Sequence, residues 1–385
     1  SGRQSPQMPP SAMQSPGMLD LLSLARRGAA ASVAVAAAAS YISYFCGGWA
    51  ASLSPSKRRR CLQISPSWGQ GKVVLVTGAG GAIGLRTAQV LAQAGATVIL
   101  ACRSLERGVA AKDAMSVPPE VLARIEVMSL DLASIRSIRA FAETFRSKYP
   151  RLDVLVLNAG VARTFLGSTG FRLTEDGFEE MMGVNFLGHF LLTGLLLPVL
   201  RKTVGSRVVG LTSVAMGNSY ACGIDVQSWT QRRPDFGDWK QYGQSKLAVR
   251  LFIRELQRQE PSILCLACHP GVVAETTLMH QGKTDLLERL YSLLMFKVFA
   301  MGPDHSHLTS VYLATAPADE LEGGACYMPL CRLLRWMNHW LQRIGALQAP
   351  VAMKTSHPGL FDDAQRVLNE RAAAIWGAPL LPPKP

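Results

Sequence analysis

Charged side chains are scarce in this chain of 385 residues: they make up 17% of the sequence, whereas hydrophobic residues make up 48%. An apolar fraction of this size excludes a wholly disordered protein. Only one long stretch, residues 28–56, lacks charge altogether, which excludes a membrane protein with many spanning helices. The length is typical of one large α/β domain with appendages or of two smaller domains.

A basic stripe interleaved with aromatic residues is also missing, although Lys and Arg number 40 against 27 Asp and Glu. The excess is uneven, because seven basic residues but a single acid, Asp20, precede Gln70. The remaining excess is ordinary for an enzyme, so we expect no nucleic-acid binding.

Cysteine occurs without the spacing of a disulfide framework. The eight cysteines are scattered and mostly lie in apolar runs, which is typical of buried thiols in a reducing compartment. Cys265, Cys268 and His269 spell the CxxCH pattern of haem attachment, but they occupy an apolar run that reads as a strand. Residues three apart on a strand point to opposite faces, so we interpret both thiols as core residues and predict no metal site.

Residues 1–70 form a leader ahead of the main domain. Its first 17 residues are rich in Pro, Gln, Ser and Met and are predicted to be disordered. The uncharged stretch 28–56 exceeds the roughly 20 residues that span a bilayer, but it is dominated by alanine. A membrane anchor and an organellar transit peptide both fit this composition, and a soluble extension is the third interpretation. As an anchor, with the Lys57–Arg60 cluster after it, the stretch would place the main domain on the cytoplasmic side.

From Lys72 onward, apolar strands alternate with amphipathic helices. The first strands are predicted at Val73–Thr77 and Thr97–Cys102, and helices are predicted near Asp176–Lys202 and Tyr242–Gln259. This alternation specifies an α/β fold of the Rossmann type, a doubly wound parallel sheet with helices on both faces. We therefore predict a single domain over residues 71–377, followed by a tail over 378–385.

The turn after the first strand is rich in glycine. Gly78 permits a tight turn, and Gly84 allows the following helix to pack closely against the strand. The amides at the N-terminus of that helix would attract a pyrophosphate. A plain tight turn has the same composition, so the turn alone does not identify a nucleotide site.

Five ordered motifs identify the family. They are TGxxxxxG at Thr77–Gly84, LNAG at Leu157–Gly160, Ser213, YGQSK at Tyr242–Lys246 and HPG at His269–Gly271. In this order and spacing the chain resembles the short-chain dehydrogenase/reductase family from about Lys72 to Gly377. The strings ACRS, FEEMMGVNFLGHFLLTGLLLP and YGQSKLA, with the long gap before Tyr242, resemble its retinol-dehydrogenase-like branch.

The resemblance implies an oxidoreductase that transfers hydride between a nicotinamide cofactor and a lipophilic alcohol, aldehyde or ketone. Tyr242 is the implied general acid/base, although a phenol with a pKa of about 10 is a poor one at neutral pH. Lys246, one helical turn later, would stabilise the phenolate and bind the nicotinamide ribose. Ser213 would bind the substrate oxygen, and Asn185 would anchor a water of the proton relay.

The predicted cofactor is NADP(H). Arg103 stands at the end of the second strand, where an NAD enzyme has an acid, and a guanidinium matches the geometry of a 2′-phosphate. By resemblance Asp131 is expected to contact the adenine; alternatively it is the N-cap of the helix from Ser134 onward. The predicted cofactor residues are Thr77, Gly78, Ala82, Ile83, Gly84, Arg103, Asp131, Leu132, Asn158, Ala159, Gly160, Tyr242, Lys246, Pro270, Gly271 and Thr276.

Two positions depart from the family pattern. Ala82 occupies a position where the family usually has glycine, which adds a methyl group near the phosphate path. Thr276 follows the HPG motif one residue later than usual, with Glu275 in its place. Both departures keep open an alternative function, a redox-sensing scaffold that binds NADPH with little turnover. The intact set of Ser213, Tyr242 and Lys246 favours an enzyme, with reduction of a pigment-like ring as a remote third reading.

Two further segments suggest contact with lipophilic molecules. Apolar residues at helical spacing between 286 and 301 predict either a lid over the substrate or plain core. Residues 330–344, within an inserted segment of about 330–357, carry an apolar face opposite arginines. That profile fits a basic helix at a membrane surface or one docked on its own domain. The resemblance also implies a homodimer through the helices near 176–202 and 242–259, and we expect His305 and His307 at the surface.

Overall fold

A computed structural model describes residues 64–163, 170–273, 300–301, 306–327, 359–360, 362–364, 366–367 and 370. Seven parallel strands form the main sheet, in the order β3-β2-β1-β4-β5-β6-β9. They are β1 (Val73–Thr77), β2 (Thr97–Cys102), β3 (Ile125–Ser129), β4 (Val154–Leu157), β5 (Arg207–Leu211), β6 (Leu264–Cys268) and β9 (Cys326–Tyr327). Two short strands, β7 (Val272–Val273) and β8 (Ala300–Met301), pair separately.

The sheet is doubly wound. From β1 the chain moves outward through β2 to β3, then returns to place β4 on the other side of β1 and continues through β5 to β6. The neighbouring strands β1 and β4 therefore form the point where the winding direction reverses, and sheets of this kind bind ligands there, beyond the carboxyl ends of the strands. The predicted Rossmann-type fold is confirmed.

Helices cover both faces of the sheet, which is why the strands read as continuous apolar runs. Along β1, Val73 and Leu75 pack into one core, whereas Val74 and Val76 pack into the other. The helices are α1 (Ala82–Gln93), α2 (Leu105–Asp113), α3 (Pro119–Leu122), α4 (Ile135–Lys148), α5 (Glu180–Lys202), α6 (Asp238–Gln259) and α7 (Leu308–Thr315).

Helix α5 is unusually apolar and contains one π-helical turn at Gly183–Leu187. Among the described residues it is the one helix long and apolar enough to cross a membrane, by length and composition alone. Its most apolar window is 72% buried inside the protein, where it packs with α4 and α6. We therefore interpret α5 as a core helix. In α6 the run Gly243–Ile253 is likewise buried within the chain.

The cysteines of the CxxCH pattern separate as expected. Cys265 lies in one core and Cys268 in the other, on opposite faces of β6. The surface position expected for His307 is wrong, because this side chain is only 6% exposed at the start of α7. Further along the chain, Leu360, Ala364 and Val367 are buried against the first core, at the spacing of one helical face.

Several predicted features lie outside the described residues. They are the uncharged stretch 28–56, the amphipathic segment 330–344, most of the predicted substrate segment 286–301, His305 and Thr276.

Candidate active site

The turn between β1 and α1 approaches its neighbours too closely for side chains. Gly78 has a φ of +63°, and a Cβ on it would stand 2.6 Å from the Cα of Ala159. A Cβ on Gly84 would lie 2.5 Å from Nδ2 of Asn158. Helix α1 begins at Ala82, and no side chain caps its N-terminus. The backbone N–H groups of its first turn therefore have no side-chain acceptor. Such a terminus binds anions such as a diphosphate.

The LNAG loop after β4 is tied to this turn. Nδ2 of Asn158 donates hydrogen bonds to the carbonyls of Thr77 at 2.7 Å and Gly78 at 3.2 Å. In return, Oγ1 of Thr77 accepts from the backbone N–H of Asn158 at 2.9 Å and of Ala159 at 3.0 Å. The two loops thus form one rim at the switch point of the sheet.

Tyr242 and Ser213 meet beside this rim. Tyr242 lies in the first half of α6, and Ser213 follows β5 by two residues. Burial raises the pKa of Tyr242 to about 12, and a hydrogen bond with the side chain of Ser213 acts in the opposite direction. Oγ of Ser213 also accepts from the backbone N–H of Ala215 at 3.2 Å. The phenol is therefore protonated at neutral pH, as a proton donor must be.

Lys246 stands one turn after Tyr242 and on the same side of α6. Its Nζ lies 5.8 Å from the centroid of the Tyr242 ring and donates to the carbonyl of Leu211 at 3.1 Å. Burial lowers the pKa of Lys246 to about 8, so the ammonium is still mostly charged at neutral pH. The two side chains face each other as expected. The acidification of Tyr242 that the sequence suggested is not seen, because burial of the phenol dominates its pKa.

Asn185 meets Lys246 next to Gly160. A Cβ on Gly160 would lie 3.2 Å from Nζ of Lys246 and 3.3 Å from Oδ1 of Asn185. That Oδ1 accepts from the N–H of Val161 at 2.7 Å, while Nδ2 donates to the carbonyl of Val161 and to Oγ of Ser245, both at 2.9 Å. The buried carboxamide is therefore fully partnered and fixed in orientation.

Two glutamines on α6 clamp the loop that leads into this helix. Oε1 of Gln244 accepts from the N–H of Asp225 at 2.5 Å, and its Nε2 donates to Oγ of Ser228 at 2.8 Å. Oε1 of Gln241 accepts from the hydroxyl of Tyr220 at 3.0 Å. Sequence reasoning missed both residues, because their partners lie in an irregular loop without periodicity.

Gly243 brings α6 against the backbone that follows Ser213. A Cβ at this position would lie 2.5 Å from the carbonyl oxygen of Ala215 and 2.9 Å from the carbonyl carbon of Asn218. Only glycine permits this approach, which sets Tyr242 beside Ser213. The signal in the sequence was a glycine inside a helical run, directly after the predicted acid/base residue.

His189 is a second residue that sequence reasoning missed. It lies in α5 one turn after Asn185 and is only 1% exposed. Its two ring nitrogens contact the Asn185 carbonyl and Oγ1 of Thr77, each at 2.9 Å. The side chain thereby bridges the helix that carries Asn185 and the glycine-rich turn after β1.

Two predicted cofactor residues follow β2 and β3, at the carboxyl ends of these strands. Arg103 follows β2 and is exposed, and it forms no ion pair with any described residue. Asp131 follows β3, and its Oδ1 accepts from the N–H of Ala133 at 2.9 Å. The N-cap of α4 is Ser134 and not Asp131, so the alternative role considered for Asp131 is wrong.

The remaining predicted cofactor residues also lie at this edge. Leu132 is buried, and its carbonyl closely approaches Gly188 of α5. Pro270 is buried directly after β6, and Gly271 has a φ of +97°. Ile83 is half-buried in the first turn of α1. Within the described ranges, no cluster of three His, Cys, Asp or Glu side chains could hold a metal ion.

Comparison with known proteins agrees with this geometry. The family model described as short chain dehydrogenase matches residues 72–286. Retinol dehydrogenase 13 of Mus musculus is 41% identical over 66% of this chain and 73% of its own length. Retinol dehydrogenase 14 of Homo sapiens is 36% identical over 76% of this chain and 88% of its own length.

Solved structures share the fold. A crystal structure of a protein from Mycobacterium paratuberculosis has a TM-score of 0.56 and 28% identity, and the match covers 81% of this chain and 96% of that one. The RhlG/NADP complex of Pseudomonas aeruginosa has a TM-score of 0.53 and 22% identity, over 69% and 97% of the two chains. On the family match and the curated relatives, the chain belongs to the short-chain dehydrogenase family of oxidoreductases, in its retinol-dehydrogenase-like branch.

Proposed function

We propose that this protein is an NADP(H)-dependent oxidoreductase that interconverts a lipophilic alcohol and its aldehyde or ketone. The observation that carries the proposal is the convergence of Ser213, Tyr242 and Lys246 beside the glycine-rich turn. A titratable phenol, a hydroxyl that hydrogen-bonds it and a buried amine form a proton-transfer set within reach of a nucleotide.

The residues at the turn fit a dinucleotide. Gly78 and Gly84 allow the turn to pack closely against Ala159 and Asn158, and the uncapped start of α1 offers backbone N–H donors to a diphosphate. When bound, the nicotinamide would supply or accept the hydride. In this proposal Lys246 binds the nicotinamide ribose, and the loop at Asn158–Gly160 supports the cofactor from the neighbouring strand.

The proposed proton steps use side chains of α6 and α5 and of the loop that follows β5. Tyr242, protonated at neutral pH, donates its proton to the alkoxide that carbonyl reduction creates, and it accepts a proton in the reverse direction. Ser213 donates a hydrogen bond to the substrate oxygen and holds it near the phenol. The ammonium of Lys246 stabilises the phenolate that Tyr242 becomes. Asn185 anchors the relay that returns the proton from solvent.

The preference for NADP(H) over NAD(H) rests on Arg103. This guanidinium is exposed at the end of β2, where the ribose 2′ position lies in sheets of this type. It has no carboxylate partner among the described residues, so it is available for a phosphate. A lipophilic substrate is supported by the similarity to the two retinol dehydrogenases.

The decisive experiment is turnover. The purified full chain is incubated with NADPH, or with NADH, and a panel of aliphatic, retinoid and steroid carbonyls, and the absorbance of the reduced nicotinamide is followed. We expect oxidation of NADPH with at least one lipophilic carbonyl and slower reaction with NADH. Binding of NADPH without oxidation by any member of the panel would favour the redox-sensing scaffold instead.

We also propose that a leader over 1–70 precedes the catalytic domain 71–377 and brings it to a membrane through the uncharged stretch 28–56, with segment 330–344 as a second contact. The alternative is import of the domain into an organelle. A carbonate wash of membranes that carry the full chain separates the two, because an anchor stays in the pellet. A homodimer through α5 and α6 stays a prediction, which sedimentation analysis of the purified protein tests.

A further inference from the structure

His189 is a buried polar residue that the proposed chemistry does not use. Its imidazole is 1% exposed inside α5, and burying a polar ring is costly unless its nitrogens are partnered. Both nitrogens are partnered, and the partners belong to the two halves of the candidate site. These contacts determine which nitrogen carries the hydrogen.

The Nδ1 atom must be the donor. It lies 2.9 Å from the backbone carbonyl of Asn185, which can only accept a hydrogen bond. In a neutral imidazole the other nitrogen, Nε2, is then an acceptor. Its partner at 2.9 Å is Oγ1 of Thr77, whereas the other acceptor near this hydroxyl, the Val156 carbonyl, lies at 3.4 Å. We therefore assign the Thr77 hydroxyl hydrogen to the shorter contact, with His189.

The contacts of the Thr77 hydroxyl favour a neutral His189. Its oxygen already accepts two backbone N–H groups, from Asn158 at 2.9 Å and Ala159 at 3.0 Å. A hydroxyl oxygen has two lone pairs, so a third donor from a protonated imidazole would find no acceptor. Burial also lowers the pKa of His189 to about 4, with the charge of Lys246 acting in the same direction against the hydrogen bond to Asn185.

A continuous chain of hydrogen bonds therefore runs through the molecule. It begins at the Asn185 carbonyl, passes through His189 to Thr77, and ends at the backbone of Asn158 and Ala159. The side chain of Asn158 closes the chain by binding the carbonyls of Thr77 and Gly78 at the glycine-rich turn. The Val156 carbonyl lies beside this chain, 3.4 Å from Oγ1 of Thr77 and 3.0 Å from the N–H of Asn158.

We propose that His189 is a positioning residue that aligns the bound nucleotide with the proton relay, by fixing the Asn185 carbonyl at one ring nitrogen and the Thr77 hydroxyl at the other. This inference rests on the proposed function for the relay, whereas its cofactor half depends only on nucleotide binding. Because the imidazole stays neutral, His189 does not itself transfer protons.

Conservative variants separate the contact with Asn185 from the contact with Thr77. In His189→Asn the carboxamide nitrogen stands near the position of Nδ1, so the bond to Asn185 is kept and the bond to Thr77 is lost. In His189→Gln the longer side chain reaches the position of Nε2, so an acceptor for Thr77 is kept and the bond to Asn185 is lost. His189→Phe removes both bonds but retains a ring of similar size.

Three quantities are measured on each variant of the full chain: the NADPH dissociation constant by fluorescence titration, kcat, and the solvent deuterium isotope effect on kcat. We expect His189→Asn to weaken NADPH binding more than it lowers kcat. We expect His189→Gln to lower kcat and change the isotope effect while largely keeping NADPH affinity. His189→Phe should show both losses, each about tenfold or more, as expected for displacement of groups at the reacting centre.

A double-mutant cycle tests the route through Thr77. If His189 acts on the nucleotide through this hydroxyl, His189→Asn and Thr77→Val weaken NADPH binding less than additively when combined. The proposal is overturned if the two effects add, or if all three His189 variants lose affinity and kcat in proportion to their loss of thermal stability. A chain that turns over no carbonyl would refute the proposed function, while the binding measurements would still decide the cofactor half of this inference.

Discussion

The carboxylate of Glu179 accepts a hydrogen bond from the side chain of Gln241, with 3.1 Å between Oε2 and Nε2. This bond joins the residue before α5 to the residue before Tyr242. The same Oε2 accepts from the N–H of Met182 at 2.9 Å, so Glu179 also caps the start of α5. The helices that carry Asn185 and Tyr242 are therefore connected through one buried carboxyl group, which is 1% exposed.

This carboxyl group should make stability depend on pH. Burial raises the pKa of Glu179 from 4.5 to about 7, against the hydrogen bonds it accepts. The folded protein then binds the proton more tightly than the unfolded chain does. The free energy of unfolding should therefore fall as pH rises from about 4.5 to about 7 and level off above.

We predict that Glu179→Gln weakens this pH dependence, because the amide cannot ionise. Urea denaturation at pH 5 and pH 8 measures it, as the difference between the two free energies of unfolding. Glu120→Gln, on the exposed start of α3, is the matched control and should keep the wild-type difference. An unchanged difference in Glu179→Gln would show that another group causes any pH dependence in this range.

Removal of the Tyr242 hydroxyl should abolish chemistry and spare binding. We predict that Tyr242→Phe lowers kcat by orders of magnitude, because the variant has no proton donor for the alkoxide. Its NADPH dissociation constant should stay near that of the wild type. Tyr149→Phe is the control. It also removes a phenol hydroxyl, but this hydroxyl donates a hydrogen bond to Glu126 and is not one of the proposed site residues. Wild-type turnover in Tyr242→Phe would refute the assignment.

A methyl group at Gly160 should disturb the site without unfolding the protein. The new Cβ would press on Nζ of Lys246 and Oδ1 of Asn185, at 3.2 and 3.3 Å, so these groups must shift by a few tenths of an ångström. We predict a fall in kcat/KM of about tenfold, since small displacements near reacting atoms are costly. Gly237→Ala, with no heavy atom within 4 Å of its Cβ, is the control. Equal losses in both variants would argue against a local effect.

The charge at Arg103 should decide between the two dinucleotides. We predict that Arg103→Asp raises the KM for NADPH about ten- to a hundredfold, because a charge-assisted contact to the 2′-phosphate is replaced by repulsion. The KM for NADH should fall, since a carboxylate can bind the ribose hydroxyls. Steady-state kinetics with both cofactors measures the ratio, with Arg124→Asp, just before β3, as the control. An unchanged ratio in Arg103→Asp would remove the case for NADP(H).

The sequence predicted the fold well because its signals are local. The strands Val73–Thr77 and Thr97–Cys102 have the predicted bounds, since each is a continuous apolar run closed by glycine or polar residues. The motifs also singled out Ser213, Tyr242 and Lys246, which lie close together in the structure and whose roles stay predictions. Helix α6 begins at Asp238, earlier than expected, and Asp238 and Gln241 in its first turn are buried.

Long-range contacts could not be predicted in this way. Glu179 and Gln241 are 62 residues apart, and His189 and Thr77 are 112 apart, so no periodicity links them. The high pKa of Tyr242 was missed for a related reason. The motif shows a lysine one turn away, whereas desolvation depends on everything that covers the phenol.

The clamp formed by Gln241 and Gln244 limits how this enzyme can change. These glutamines flank Tyr242 and hold the preceding loop at Tyr220, Asp225 and Ser228, so the loop and Tyr242 are joined by hydrogen bonds. If this loop were replaced by one of a different length, these hydrogen bonds would be lost. Tyr242 would then shift relative to Ser213. We therefore expect exchanges of single residues that preserve the backbone path of this loop to be tolerated better than changes in its length.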